Sequence, residues 1–143
     1  VDENRQAIGQ KVIMLLGAVK TEDAATRRQI SCAMADCYVN ASAEPMQGIT
    51  LLRQVISEDS THEQALYLLG QFAVKSGQTD RAIQRFQSLV KLYPAKTKYS
   101  LYLAQLFSEA CRRNEALEVL EKAKKAAIRK SALDSINNSI NHL

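Results

Sequence analysis

Between Glu63 and Lys96 the apolar positions recur at helical spacing in two runs. Leu66, Leu69, Gly70 and Ala73 fall on one face of the first run, and Ala82, Phe86 and Leu89 on one face of the second. Gly77, with Gln78 and Thr79, stands between them where a turn fits, and Pro94 ends the unit because proline cannot continue a helix. The pattern predicts two short amphipathic helices joined by a tight turn. It returns at Thr97, 34 residues after Glu63 (97 − 63), with Leu103, Ala104 and Phe107 followed by Ala116, Leu120 and Ala123. An earlier, looser copy has Met34, Ala35 and Tyr38 in the places of Leu69, Gly70 and Ala73. Gly48, Leu52 and Val55 then take the places of Ala82, Phe86 and Leu89. That fit requires one extra residue in the turn Asn40 to Glu44, a position where insertions are tolerated. Pro45 suits the first turn of the helix that follows.

The flanks are helical as well. Ile8, Val12, Leu15, Leu16 and Val19 share a face of an amphipathic segment over Asn4 to Lys20, interrupted by Gly9 and Gly17. It reads as a helix covering the open end of the array, or as the second helix of a degenerate repeat. Thr21-Glu22-Asp23 supplies a hydroxyl cap and acidic first-turn residues for a helix running to about Asn40. At the other end Ser131 caps a final amphipathic helix, with Asp134 three residues later and Leu133, Ile136, Ile140 and Leu143 on one face. Asn137, Asn138, Ser139 and Asn141 cover its opposite side. No strand pattern of any strength is present.

The spacing of Leu69-Gly70, Ala82, Phe86 and Pro94 resembles the tetratricopeptide repeat, a helix-turn-helix of about 34 residues. The resemblance covers about residues 28 to 130. It departs from the family pattern at Ser100, where a large apolar residue is common, and at Ile128, where a closing proline is expected. It implies an all-α, right-handed α-α superhelix of three helix-turn-helix repeats between N- and C-terminal capping helices. The expected organisation is a single domain over 1–143: an N-terminal cap over 1–27, repeats over 28–62, 63–96 and 97–130, and a C-terminal cap over 131–143. Three repeats are about the minimum, since each buries its neighbour's apolar face. Glycine inside a helix costs about 1 kcal/mol relative to alanine, so Gly70 implies a close helix approach to Ala82. The chain is similar to tetratricopeptide arrays of bacterial proteins, some of which hang from an N-terminal membrane anchor outside the inner membrane.

In this family the first helices of successive repeats line a concave groove that takes a partner peptide or helix. The groove positions implied here are Cys32, Asp36, Val39 and Asn40, then Tyr67, Gln71, Val74 and Lys75, then Leu101, Gln105, Ser108 and Glu109. Asp36, Gln71 and Gln105 occupy equivalent places and form a polar row suited to an extended backbone, with Tyr67 and Leu101 as apolar anchors. The bland reading is a solvated helix face. The lysine and asparagine clamp by which some relatives hold chaperone tails is absent. The implied function is a non-catalytic protein-protein interaction module or assembly scaffold. The alternative is a structural homo-oligomer, held through an apolar terminal helix, without a peptide ligand.

Composition adds exclusions. Hydrophobic content of 46% and charged content of 24% are ordinary for a folded domain, and the longest apolar run, Val12 to Leu16, is far too short to cross a bilayer. Net charge is +4 (19 − 15), with the basic excess in the C-terminal half. The cluster Lys122, Lys124, Lys125, Arg129 and Lys130 raises nucleic-acid or anionic-lipid binding as a weaker alternative. Glu118 and Glu121 stand four residues before Lys122 and Lys125, which favours helical ion pairs instead, and no aromatic side chain is interleaved for base stacking. Cys32, Cys37 and Cys111 lack metal or redox spacing and read as small apolar residues. His62 and His142 have no catalytic constellation and no phosphate-binding glycine loop occurs, so no enzyme activity, metal or cofactor is expected. The thiols favour a reducing, cytoplasmic compartment. A chain beginning at Val1 also fits a removed leader or anchor, and with it the periplasmic side of the inner membrane.

Overall fold

In a computed structural model, seven helices account for nearly the whole chain: α1 (Glu3–Gly17), α2 (Ala24–Ala41), α3 (Pro45–Glu58), α4 (Glu63–Lys75), α5 (Thr79–Leu92), α6 (Thr97–Glu109) and α7 (Arg113–Asn141). The structure describes residues 2–141, with the side chains of 132, 133 and 135–141 outside that description. No strand occurs among the described residues. The repeat is visible in the helix bounds. From α4 to α6 both ends move by 34 residues (97 − 63 and 109 − 75), and from α3 to α5 they do the same (79 − 45 and 92 − 58). Each turn within a repeat, 42–44, 76–78 and 110–112, has three residues. The extra residue expected in the first turn is not found there: α2, α4 and α6 end at Ala41, Lys75 and Glu109, 34 residues apart (75 − 41 and 109 − 75).

The chain divides into two compact units, 1–76 and 77–143. In the first, Cys32 and Ala35 of α2, Ile49, Leu52 and Val55 of α3, and Ala65, Leu68 and Leu69 of α4 form one buried core. Helices α2 and α3 meet at Gly48, where a Cβ would lie 2.8 Å from the Ala35 carbonyl oxygen and 2.9 Å from Tyr38 Cβ. Only glycine permits that approach. Arg28 and Glu58 link the same two helices at 3.9 Å. Helix α1 crosses the end of α2 at Gly9, whose added Cβ would meet Ala41 Cβ at 2.8 Å. Gly9 and Ile13 are therefore the buried centre of α1, while Ile8, Leu15 and Val19, expected on the covered face, are exposed.

In the second unit α5 and α6 touch, and Ala82, Ile83, Phe86 and Leu89 of α5 and Tyr99, Leu103, Ala104, Leu106 and Phe107 of α6 are buried. The Phe86 and Tyr102 rings stack with centroids 4.4 Å apart. Arg112 lies over the Phe107 ring at 4.8 Å and pairs with Glu115.

The helix ends follow local chemistry. Helix α2 starts at Asp23 rather than Thr21, because the Asp23 carboxylate accepts from the Thr26 N–H at 2.7 Å while Thr21 Oγ1 accepts from the Asp23 N–H at 3.2 Å. Hydrogen bonds from the Thr26 hydroxyl and then the Thr26 N–H hold the Asp23 carboxyl below its usual range. At the other end of the chain α7 runs through Ser131 without a break. The expected start of a separate helix there is not used, since no glycine or proline stops the preceding turn. The expected apolar face of Leu133, Ile136, Ile140 and Leu143 lies outside the described residues.

Candidate functional site

The residues expected to line a groove come from the first helix of each repeat. In the first unit, α2 and α4 touch, and the groove residues of the two helices meet. Asn40 donates to the Asp36 carboxylate at 2.5 Å and accepts from the Lys75 ammonium, so Asp36, Asn40 and Lys75 form one polar chain across both helices. One turn earlier on α4, Gln71 Nε2 donates to the Tyr67 hydroxyl at 2.7 Å. Asp36 and Lys75 are exposed, and Asn40, Tyr67 and Gln71 are half-buried. This presents a polar face fixed by internal hydrogen bonds, with one aromatic ring.

Cys32 does not belong to that face. It is fully buried in the α2–α3–α4 core, and burial pushes its thiol up to about 11. The small, weakly polar side chain fits the core where α4 covers it. Cys32 Sγ lies 3.9 Å from His62 Nδ1, a pairing that sequence spacing did not suggest because thirty residues separate the two (62 − 32). His62 Nδ1 also accepts from the Ala65 N–H at 3.4 Å as the cap of α4. A thiol that stays protonated to about 11, out of reach of solvent, supplies no nucleophile. Cys37 is half-buried, and its thiol is raised by burial and by the neighbouring Asp36 carboxylate. Cys111, expected to be a buried apolar residue, is exposed in the turn between α6 and α7.

In the second unit Leu101, Gln105 and Glu109 are exposed along α6, and Gln105 Nε2 donates to Glu109 at 2.9 Å. Leu101 and Gln105 open onto an apolar hollow of about 660 Å³ between α6 and α7, lined also by Ala104, Ala116, Leu117 and Leu120. A second hollow, of about 310 Å³, lies between α5, α6 and α7 with Ser100 in its wall, where the repeat pattern otherwise places a large apolar side chain. On the basic stretch of α7, Lys122 pairs with Glu118 at 2.6 Å, the helical ion pair expected from their spacing. Among the described residues no group of three His, Cys, Asp or Glu side chains is arranged to hold a metal ion, and no helix is long and apolar enough to cross a membrane.

The family model described as tetratricopeptide repeat matches residues 40–100 and 73–127, together well over half of the chain. The chain belongs to the tetratricopeptide-repeat family. No curated protein sequence matches it. Among solved structures, a crystal structure of MamA aligns with a TM-score of 0.65 at 18% identity, covering 73% of this chain and 61% of that one. A second, of MamA protein, has the same TM-score and identity and covers 73% of this chain and 57% of that one. The MamA RS-1 ArsTM double mutant aligns with a TM-score of 0.69 at 17% identity, covering 91% and 70%. This tetratricopeptide chain thus spans less than two thirds of the first two MamA chains, and at these identities the likeness is one of fold. The fold is typical of non-catalytic protein-protein interaction scaffolds.

Proposed function

We propose that the chain is a protein-protein interaction module whose ligand is a peptide or helix bound along the first helices of its repeats. Asp36, Asn40, Tyr67, Gln71 and Lys75 form the candidate surface of the first unit, and Leu101, Gln105 and Glu109 that of the second. The observation that carries this reading is the hydrogen-bonded chain Asp36–Asn40–Lys75 across α2 and α4. It holds polar groups of two successive repeats in fixed positions beside the Tyr67–Gln71 pair. Pre-positioned donors and acceptors reduce the ordering penalty of binding, and the Tyr67 ring supplies an anchor of the kind that dominates interface energetics.

The test is a random-peptide display selection against the full chain, followed by titration of the selected peptides. Peptides that occupy this surface lose about tenfold or more in affinity for the Tyr67→Ala, Gln71→Ala double variant, a change of at least about 1.4 kcal/mol. The variant keeps its far-ultraviolet circular dichroism, because both side chains are half-buried rather than core. Selected peptides that bind wild type and variant equally would move the ligand to another face.

A further inference from the structure

The repeat register assigns equivalents to the core residues, and on α7 two of these equivalents are uncovered. Ile49, Ile83 and Leu117 are successive 34-residue counterparts, as are Leu52, Phe86 and Leu120. Ile49 and Ile83 are 2% and 3% exposed and Leu117 is 52% exposed, while Leu52 and Phe86 are 0% and Leu120 is 38% exposed. The covering side chain is known in two cases. Leu68 of α4 shares the core with Leu52, and Tyr102 of α6 stacks on Phe86. Each covering residue follows its partner by sixteen positions (68 − 52 and 102 − 86). Sixteen after Leu120 is Ile136.

The correspondence extends along the sequence from 131 to 141. The positions by which α4 and α6 meet the preceding hairpin, Ala65, Leu68 and Phe72 and then Tyr99, Tyr102 and Leu106, continue as Leu133, Ile136 and Ile140. The positions that α6 buries on its other side, Leu103, Ala104 and Phe107, continue as Asn137, Asn138 and Asn141. A helix with those residues has one face for a hairpin and one for water. In this structure, however, α7 is a continuous helix from Arg113 to Asn141. Sixteen residues of helix span about 24 Å, so a continuous α7 carries this stretch away from its own Leu120.

We propose that the face formed by Leu117 and Leu120 is filled by residues 131–143 of a second copy of this chain. The second copy occupies the place that α4 takes on α2 and α3. Burial of two leucines and three donor side chains supplies the drive, and exchange of an identical element between chains is a low-cost route to association.

Sedimentation equilibrium of the full 143-residue chain over micromolar concentrations tests this, and a mass above that of the monomer is expected. The acceptor variant Leu117→Asp, Leu120→Asp and the donor variant Ile136→Asp should each weaken self-association by about 100-fold or more. Mixed one to one, the two defective proteins should associate again, because one keeps the donor and the other the acceptor. A Leu117→Gln, Leu120→Gln pair serves if aspartate lowers helicity. A monomer at every concentration would overturn the proposal, as would an assembly indifferent to both variants or a mixture that stays monomeric. Capping within one chain would appear as an intrachain disulfide in a monomeric Leu120→Cys, Ile136→Cys protein made with Cys111→Ser, and would also overturn it.

Discussion

The first hairpin, α2/α3, and the last, α6/α7, are built on the same register and meet three common demands differently. The outward face of the first is covered by α4, whereas Leu101, Leu117 and Leu120 of the last lie open. The close approach of the first hairpin is made at Gly48, and the same position in the last is Ala116. The first turn is held by Ser42, whose hydroxyl oxygen accepts from the Glu44 N–H at 3.1 Å and from Gln10 at 3.3 Å. The last turn, with Cys111 at φ 58°, is held by backbone bonds and by the Arg112 side chain, which lies over Phe107 and pairs with Glu115. Register thus decides where apolar, small and turn residues are needed. Whether an apolar residue becomes core depends on the arrival of another helix.

The largest expected effect breaks the first of these parallels. Leu52→Ala removes a fully buried side chain and is expected to cost about 3 kcal/mol. Its counterpart Leu120→Ala is expected to cost less than about 1 kcal/mol at dilutions where the chain is monomeric, because little area is lost from a half-open site. Urea unfolding midpoints measure both, and equal losses would mean that the last hairpin is covered even in the monomer.

Next in size is the exchange of small residues between hairpins. Helix propensity alone would make Gly48→Ala favourable by about 1 kcal/mol. The new Cβ would meet the Ala35 carbonyl at 2.8 Å and Tyr38 at 2.9 Å, so the helices must part, and overpacking of this kind costs about 1–3 kcal/mol. Gly48→Ala is therefore expected to be destabilising in thermal unfolding. Ala116→Gly, the reverse change at the equivalent position, is also expected to destabilise, by about 1 kcal/mol through backbone entropy. A stabilised Gly48→Ala protein would show that α2 and α3 have room to separate freely.

These contrasts also show what could be read in the sequence. The pairs of helices from Glu63 onward were legible because Leu69-Gly70, Gly77, Ala82, Phe86 and Pro94 combine apolar period, turn and stop in agreement. The first hairpin was legible through Gly48 and Pro45, although its turn holds no extra residue. The inward face of α1 was not, since Ile8, Leu15 and Val19 form the better apolar stripe and the contact is set by Gly9 against Ala41. Periodicity finds a stripe, but only packing says whether it is covered. The continuity of α7 was signalled in part by the missing proline at Ile128. Ser131 and Asp134 offered a start with no stop before it, and helix-forming residues carried the helix through. Of the site, the adjacency of Asn40 and Lys75 followed from the repeat. The Cys32–His62 contact, joining different helices, had no spacing signal.

The smallest effect concerns the turns. Gly77 and Cys111 are equivalent residues, 34 apart (111 − 77), and both are left-handed, with φ of 71° and 58°. The motif dictates this: the Cys111 N–H donates to the Ser108 carbonyl at 3.0 Å and the Arg112 N–H to the Phe107 carbonyl at 2.8 Å, closing the end of α6. A side chain in that conformation costs about 1–2 kcal/mol, a penalty Gly77 avoids. Gly77→Ala is expected to lose about 1 kcal/mol through backbone strain alone, since no atom lies within 4 Å of the added Cβ. Cys111→Gly relieves the strain but loosens the unfolded chain by about 0.4–1 kcal/mol, for a net gain of about 0.5 kcal/mol. Cys111→Asn, which tolerates the left-handed region without glycine's entropy, separates the two terms and should gain at least as much. Urea unfolding of the three variants decides the matter. If both Cys111 variants are less stable than wild type, the thiol makes a favourable contact that outweighs the backbone, and the two turns are alike in shape but not in what holds them.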